Sequence, residues 1–474
     1  MSAATHLVRS EAELNRWMGR LLADPDEGAS HFVIGRTRYA DLYAMAGCLL
    51  AEWDAMGRAP LVCLCAEDKA VVAAALLASL AGGPALVLPY SLSPGVLAEV
   101  RVVTGFDHAV VDGPRPLPDG VTALHPTPAE SCWPPAMALI PKRTSDEWVR
   151  LFTGGSTGTP SMWTKTVRNL LAESIAIVEH YRITAADRMV ATVSPNHIYG
   201  LLYAILAPLL ARAAVAGPAP SFPAEIEAVV DDVDATILIS VPAHYRALNG
   251  HPWQPRRLRL AFSSAGMLAE VDAHAFHAQT GVRVAEIYGS TETGGIAARV
   301  RADGETDFKP YETVAVRIID ERLEVRSDYL SPGLVDARTG SFTMGDRAAA
   351  AAGGRFRLLG RADGIVKVGG KRVDLEAVRQ ALKQQPGVRE ALVLALPVGR
   401  ARENQIMALV EGEATVVDLN RALAETLDPY ARPRGIKVVD HIPLTAAGKY
   451  DRHTIEALFN ANEDPAPVDD SQSA

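Results

Sequence analysis

Two rhythms of apolar and polar residues run along this chain. From about residue 58, short apolar runs alternate with stretches of helical length. APLVCLC at 59–65 predicts a buried strand, DKAVVAAALLASL at 68–80 a helix, PALVLP at 84–89 a strand and SPGVLAEVRVVTG at 93–105 a helix. TILIS at 236–240, LRLAFSS at 258–264 and VRVAEIYG at 282–289 repeat the strand signature. Runs that are apolar at every position are buried on both faces, and their separation by helices implies parallel pairing with helices on either side. Around 313–326 the rhythm shortens, TVAVRIID then RLEVRS, which predicts a small antiparallel or barrel-like unit. From Arg361 a strand pair, the helix DLEAVRQALKQQ, the strands REALVLALP and QIMALVEG, the helix VVDLNRALAETL and the strand KVVDHI make an α+β piece. The pattern therefore predicts an α/β fold. A large N-terminal domain over 1–360 has parallel-rich sheets flanked by helices plus the small barrel-like unit. A small α+β C-terminal domain covers 361–462. The polar, Pro-bearing 463–474 is expected to be a disordered tail, and no internal repeat is visible.

Composition narrows this only in places. The 474 residues allow two to four domains, and 48% hydrophobic with 22% charged residues fits a soluble globular protein. A formal charge of −9, from 47 basic and 56 acidic residues, argues against a nucleic-acid coat. Cys48, Cys63, Cys65 and Cys132 form neither a CxxC pair nor a disulfide framework, so they are expected to be reduced and mostly buried. The start MSAATHLVRSEAELNRW lacks the apolar core of a signal peptide, and a cytoplasmic protein is the expectation. Residues 70–90 and 200–217 have the length of membrane spans. Gly82-Gly83-Pro84 interrupts the first, and Pro208 and Arg212 interrupt the second, so each is expected to be a helix followed by a buried strand, with no membrane span.

Chemistry enters with Thr153-Gly154-Gly155-Ser156-Thr157-Gly158. Glycines let backbone N–H groups converge and hydroxyls add donors, which suits phosphate oxygens; a flexible surface loop has the same composition. The Gly-Lys-Ser/Thr of a Walker loop does not follow, and the first strand–helix unit has no GxGxxG. Downstream, Tyr288-Gly289-Ser290-Thr291-Glu292-Thr293-Gly294-Gly295 follows the strand VRVAEI, where ligands of open α/β sheets gather. One carboxylate among hydroxyls suits Mg²⁺, which takes few protein oxygens, beside a triphosphate; Glu292 as a simple cap in a strand-to-helix turn is the rival. Lone His197, the Gly345-Asp346 pair and Lys449 on a Gly-ended loop each have an ordinary structural reading when taken alone.

In their order along the chain, these segments resemble the adenylate-forming superfamily: acyl-CoA synthetases, aryl-acid ligases, peptide-synthetase adenylation domains and firefly luciferase. The resemblance implies ATP and Mg²⁺ as cofactors and assigns roles. Thr153 to Gly158 look like the phosphate loop, and Tyr288, Gly289, Ser290, Thr291 and Glu292 like the adenine and magnesium motif. Ser264, Ala265 and Gly266 stand where relatives lay backbone against adenine. Ser194-Pro195-Asn196-His197-Ile198-Tyr199-Gly200 is similar to the segment at the carboxylate pocket, with His197, Gly289 and Gly294 near the acid. Asp346, Arg361 and Arg372 complete the nucleotide set. Asp363 in Gly360-Arg361-Ala362-Asp363 is the hinge on which a mobile small domain turns, Gly370 lines the thiol path, and Lys449 is the catalytic lysine.

The implied reaction is AMP-forming acid–thiol ligation, with CoA or a carrier-protein phosphopantetheine as acceptor, in a monomer or homodimer. There are departures. Gly154 stands for a usual Ser, Met344 for a common Thr, and Ser161 for the lysine after the loop's proline, leaving Lys165 as its candidate substitute. Gly289 stands where acetate-specific relatives carry a tryptophan, which implies a larger acid. The GSTGTPSMWTKT stretch looks like ligases of aryl-polyene and xanthomonadin-type pigment synthesis, which points to an aromatic, hydroxybenzoate-like acid, with a medium-chain fatty acid as the alternative. A non-catalytic nucleotide-binding protein is the reading from a different class.

Overall fold

Asp68 starts the first long apolar helix, its carboxylate accepting from Ala70 N at 2.8 Å, and every residue of the helix Lys69–Leu80 is buried. A helix apolar all round belongs inside a core, and the strand Ala85–Leu88 follows it as expected. The second apolar run likewise resolves into the helical segments Ile198–Gly200, Leu201–Leu206 and Ala207–Ala211, then the strand Ala214–Val215. In this computed structural model, the described residues are 8–23, 30–57, 61–127, 133–153, 161–336, 338–361, 364–368, 371–397, 404–445 and 450–460. Among them no helix is long and apolar enough to cross a membrane.

The chain divides into two units. One comprises Met1–Arg317, Glu324–Thr343 and Ala351–Phe356; the other comprises Ile318–Leu323, Met344–Ala350 and Arg357–Ala474. The first unit holds two sheets. The smaller runs Thr122–Leu124, His108–Val111, Leu61–Cys65, Ala85–Leu88, Glu147–Thr153, Ser161–Thr166, parallel except for its last, antiparallel pair. Among the described residues the larger has nine strands. Its centre is parallel, with Arg188–Ala191, Ile237–Ser240, Leu260–Ser263 and Val284–Ser290 as successive neighbours. Strands such as Leu61–Cys65 and Ile237–Ser240 are buried at every position, which the unbroken apolar runs required. Lys69 links the helix between the strands Leu61–Cys65 and Ala85–Leu88 of the smaller sheet to the chain leaving Ala214–Val215. Its buried ammonium donates to the carbonyls of Ala216, Gly217 and Pro218 at 2.9–3.1 Å, using all three of its donors.

The second unit carries the expected strand pair, Ile365–Val368 against Lys371–Asp374, then the helix Leu375–Lys383 capped by Asp374. Val388–Pro397 and Asn404–Gly412 pair antiparallel, and Gly435–Val439 joins them in parallel, with the helix Val416–Thr426 between in sequence. Their core is Val378, Leu382, Ala391, Ile406, Val410 and Leu423. Close strands also occur at Ala315–Ile319 and Arg322–Arg326. Cys48, Cys63 and Cys65 are thiols, the first half-buried and the last two buried, and burial pushes the Cys63 thiol well up; Cys132 lies outside the described residues.

Candidate active site

Parallel pairing decides where the motifs meet. The four central strands of the larger sheet run in one direction, so the segments leaving their carboxyl ends share one edge. Those segments are Thr192–His197, Ser240–His244, Ser263–Gly266 and Ser290–Thr293. Strands stand about 4.8 Å apart, so this row spans about 14 Å, the reach of a nucleoside with a carboxylate beyond it.

At one end stands the acidic motif. The structure replaces the strand-to-helix turn with a hairpin: Val284–Ser290 returns antiparallel as Gly294–Val300, with Thr291-Glu292-Thr293 as the turn. Tyr288 is half-buried, its ring 5.5 Å from that of Phe308 and 5.9 Å from that of Phe356. Ser290 and Thr293 are spent on each other, hydroxyl to hydroxyl at 2.8 Å. Glu292 is half-buried, and its carbonyl accepts from Ser331 N at 2.9 Å and Lys165 Nζ at 3.1 Å. A side chain at Gly289 would run into the Gly294 carbonyl. The hairpin thus demands glycine there on its own account, and the residue's small size carries less about the acid than the sequence alone suggests.

On the neighbouring strand, Ser264 Oγ donates to Ile287 O at 3.1 Å, and Ala265 is left-handed at φ +68°, exposed beside Gly266. A non-glycine residue in that region is strained, and here it turns backbone outward at the sheet edge. At the far end, His197 is half-buried and precedes the helical turn Ile198–Gly200. Asn196 Nδ2 donates to Ala66 O at 3.1 Å, and Tyr199 Oη donates to Ser240 O at 3.2 Å. Between the two ends lies a cluster that the motifs did not reveal. His244 Nδ1 is 2.9 Å from Thr192 Oγ1 and 3.1 Å from Ser240 Oγ, and burial pulls the imidazole below its usual pKa. Its only signal in the sequence is position: VPAHY directly follows the strand TILIS.

Thr153 closes the strand Glu147–Thr153 and accepts from Trp163 Nε1 at 3.3 Å. Gly154, Gly155, Ser156, Thr157 and Gly158 lie outside the described residues, and Ser161 beyond them is exposed. Lys165, the candidate substitute for the loop lysine, is fully buried, with Nζ donating to Glu292 O and, at 2.7 Å, to Tyr329 O, so its donors go to the acidic hairpin and the 329–331 segment. Facing the same hairpin is Glu173, absent from the sequence-based set, whose Oε1 accepts from Gly295 N at 2.6 Å. Burial pulls Lys165 down to about 8 and pushes Glu173 up to about 7, each shift partly offset by the other's charge.

The remaining residues belong to the second unit. Asp346 is half-buried in the strand Phe342–Ala350, and its neighbour Arg347 pairs with Glu321 at 2.9 Å and with Asp374. Arg361 ends the strand Phe356–Arg361 and Arg372 lies in Lys371–Asp374; their side chains are outside the described set, as are all of Asp363, Gly370 and Lys449. Leu444 and Tyr450, which flank 446–449, form an antiparallel bridge.

The chain is similar to known enzymes. Residues 100–334 match the AMP-binding enzyme family, and residues 377–449 match the AMP-binding enzyme C-terminal domain. A 4-coumarate–CoA ligase of Rhodobacter capsulatus is 30% identical over 316 residues, covering 66% of this chain and 77% of that protein. A sulfoacetate–CoA ligase of Cupriavidus necator is 26% identical over 347 residues, 67% of this chain and 68% of that one. The crystal structure of ATP-bound MatB from Rhodopseudomonas palustris superposes with a TM-score of 0.79 at 22% identity, covering 94% of this chain and 98% of that one. The chain belongs to the adenylate-forming superfamily of AMP-binding enzymes. Within it, the chain is an ATP-dependent, AMP-forming acid–thiol ligase.

Proposed function

We propose that this ligase activates an aromatic, hydroxybenzoate-like carboxylic acid and passes the acyl group to CoA or to the phosphopantetheine of a carrier protein. The acid's carboxylate attacks the α-phosphorus of ATP and pyrophosphate leaves; a thiol then displaces AMP from the acyl adenylate. Both reactants of the first step are anions, so alignment and charge stabilisation set its rate. The observation that carries the reading is the common edge of the four parallel strands, with the Tyr288–Glu292 hairpin at one end and His197 at the other.

In this reading Tyr288 and the Ser264–Gly266 backbone seat the adenine, and Thr153 to Gly158 cradle the phosphates. Asp346, Arg361 and Arg372 hold the ribose side. Among the described residues no three His, Cys, Asp or Glu side chains gather into a metal cage. The half-buried carboxylate of Glu292, on a turn pinned by its own carbonyl, fits Mg²⁺, which binds through one or two carboxylates plus substrate phosphates. When bound, Mg²⁺ supplies charge neutralisation on the triphosphate. Lys449 bridges the acid's carboxylate and the α-phosphate in the transition state, His197 borders the carboxylate, and Asp363 and Gly370 serve the thiol half-reaction.

The identity of the relatives supports the acid class. The 4-coumarate–CoA ligase at 30% identity acts on an aromatic hydroxy-acid, and the cluster Thr192–Ser240–His244 offers polar atoms at the same sheet edge. The test is ATP–pyrophosphate exchange with a panel of acids, repeated with CoA and with a holo carrier protein. Hydroxybenzoates and cinnamates are expected to drive exchange well above acetate. Exchange that rises with hexanoate and stays flat with the aromatic acids replaces this acid class with a medium-chain one.

A further inference from the structure

The turn that carries Glu292 is gripped by two buried ionisable side chains, a lysine and a glutamate, from one stretch of chain. Lys165 lies on Ser161–Thr166, the strand that leaves the glycine–hydroxyl run, and Glu173 lies on the helix Val167–Tyr181 that follows it. Lys165 Nζ donates to Glu292 O and Tyr329 O, so one ammonium staples the tip of the hairpin to the 329–331 segment. That segment in turn donates Ser331 N to the same Glu292 carbonyl. On the other flank Glu173 Oε1 holds Gly295 N, while Glu173 Oε2 is buried without a hydrogen-bond partner among the described residues. Asn169, one helical turn before Glu173, donates to Asp328 O at 2.7 Å and Leu330 O at 3.1 Å.

Charge is an expensive way to tie down a carbonyl. A neutral donor secures one for about 1 kcal/mol, whereas taking a lysine and a glutamate out of water costs several kcal/mol apiece unless each is compensated. Neither group reaches solvent, so neither serves solubility. What the charged arrangement adds is a support on both flanks of the turn that carries one carboxylate, and the Lys165 charge is also attracted to the Glu292 side chain. A group that holds a metal needs its orientation fixed by the residues behind it. The same strand begins where the phosphate-binding run ends, so the support ties the two nucleotide motifs together.

We propose that Lys165 and Glu173 are positioning residues that set the Glu292 carboxylate for the magnesium–ATP complex. The inference rests on the reading of Glu292 given above, and its test separates the two. ATP binding to the full chain is measured by calorimetry with Mg²⁺ and with EDTA, and the ratio of the two affinities is the magnesium gain. Glu292→Gln is expected to lose the gain. Lys165→Met is expected to bind ATP in EDTA like the wild type while its magnesium gain falls about tenfold or more, the scale of a removed supporting contact behind a metal ligand.

Because Lys165→Met leaves Glu173 uncompensated, the double variant Lys165→Met/Glu173→Leu serves as the second arm. Replacing a buried pair by apolar groups commonly restores stability, so the double variant is expected to recover the melting temperature without recovering the magnesium gain. The proposal is overturned by a wild-type magnesium gain in either variant. Equal loss of affinity with and without Mg²⁺ also overturns it, as does a double variant that does not fold; each makes the two residues merely structural. If the wild type shows no magnesium gain, or Glu292→Gln retains it, the reading of Glu292 falls and the proposal falls with it.

Discussion

A methyl group added at Gly294 runs into Glu173 Oε2 and lies 2.8 Å from Tyr329 Cβ, on backbone that is left-handed at φ +69°. Alanine in that conformation costs about 1–2 kcal/mol, and forcing extra volume into a closed space adds about 1–3 kcal/mol. Gly294→Ala is therefore expected to lower stability by about 2–4 kcal/mol, read by urea unfolding, and to weaken ATP binding in Mg²⁺ by disturbing the turn two residues before it. An unchanged unfolding midpoint counts against this packing. The sequence shows the glycine but not what crowds it. Glu173 sits in VRNLLAESIAIVEHY with Leu170 three residues before and Ile177 four after, so it occupies the apolar stripe of its helix, and that is the one signal of its burial. Lys165 gave less. SMWTKT alternates no apolar residues, and a lysine in a polar strand looks solvated until the hairpin packs over it.

The parallel strands are anchored at the ends opposite the site. Asp187, just before the strand Arg188–Ala191, is buried and accepts from Thr184 N at 2.9 Å, Thr236 Oγ1 at 2.7 Å and Arg259 at 2.8–2.9 Å. Burial alone would raise its carboxyl, but the Arg259, Thr184 and Thr236 bonds outweigh burial and hold it below the usual aspartate value. A depressed folded-state value adds stability that is present above the ordinary aspartate pKa and is lost as pH falls through the lower one. Asp187→Asn is expected to cost about 1–3 kcal/mol near neutral pH, and the gap from wild type should shrink below about pH 4, in urea unfolding at several pH values. A gap independent of pH contradicts the assignment. The strands this residue anchors were legible because all-apolar runs have one comfortable environment. The hairpin at 284–300 was not: Ser-Thr-Glu-Thr-Gly-Gly carries cap signals and turn signals alike, and only pairing with Gly294–Val300 decides between them. Nor was the wide turn at Leu201–Leu206, where Ala207 N bonds Leu202 O; all six residues are buried, so their pattern has no period to reveal the extra residue per turn.

At the scale of the whole molecule, the order of the motifs was legible, and the sharing of one sheet edge by the segments 192–197, 263–266 and 290–293 follows from strand direction; the support behind Glu292 had to be seen. The functional assignment also spans both units, since Asp346, Arg361, Arg372 and Lys449 fall in the second. Lys449 gives the sharpest test of whether the second unit takes part in the chemistry. Its proposed contact exists chiefly in the transition state, when negative charge from the acid and from the α-phosphate is forced together, so its removal should spare ground-state binding. Losing a contact of this kind costs about 3–4 kcal/mol, or roughly 10² to 10³ in rate. Lys449→Ala is expected to bind ATP within about threefold of wild type and to melt at the same temperature, while acid-dependent pyrophosphate exchange falls by that factor. Thiol transfer from a preformed acyl adenylate bypasses the step and should continue. If exchange survives in Lys449→Ala, the first half-reaction runs without this lysine. If the wild type shows neither exchange nor AMP with any acid, the chain binds nucleotide without using it.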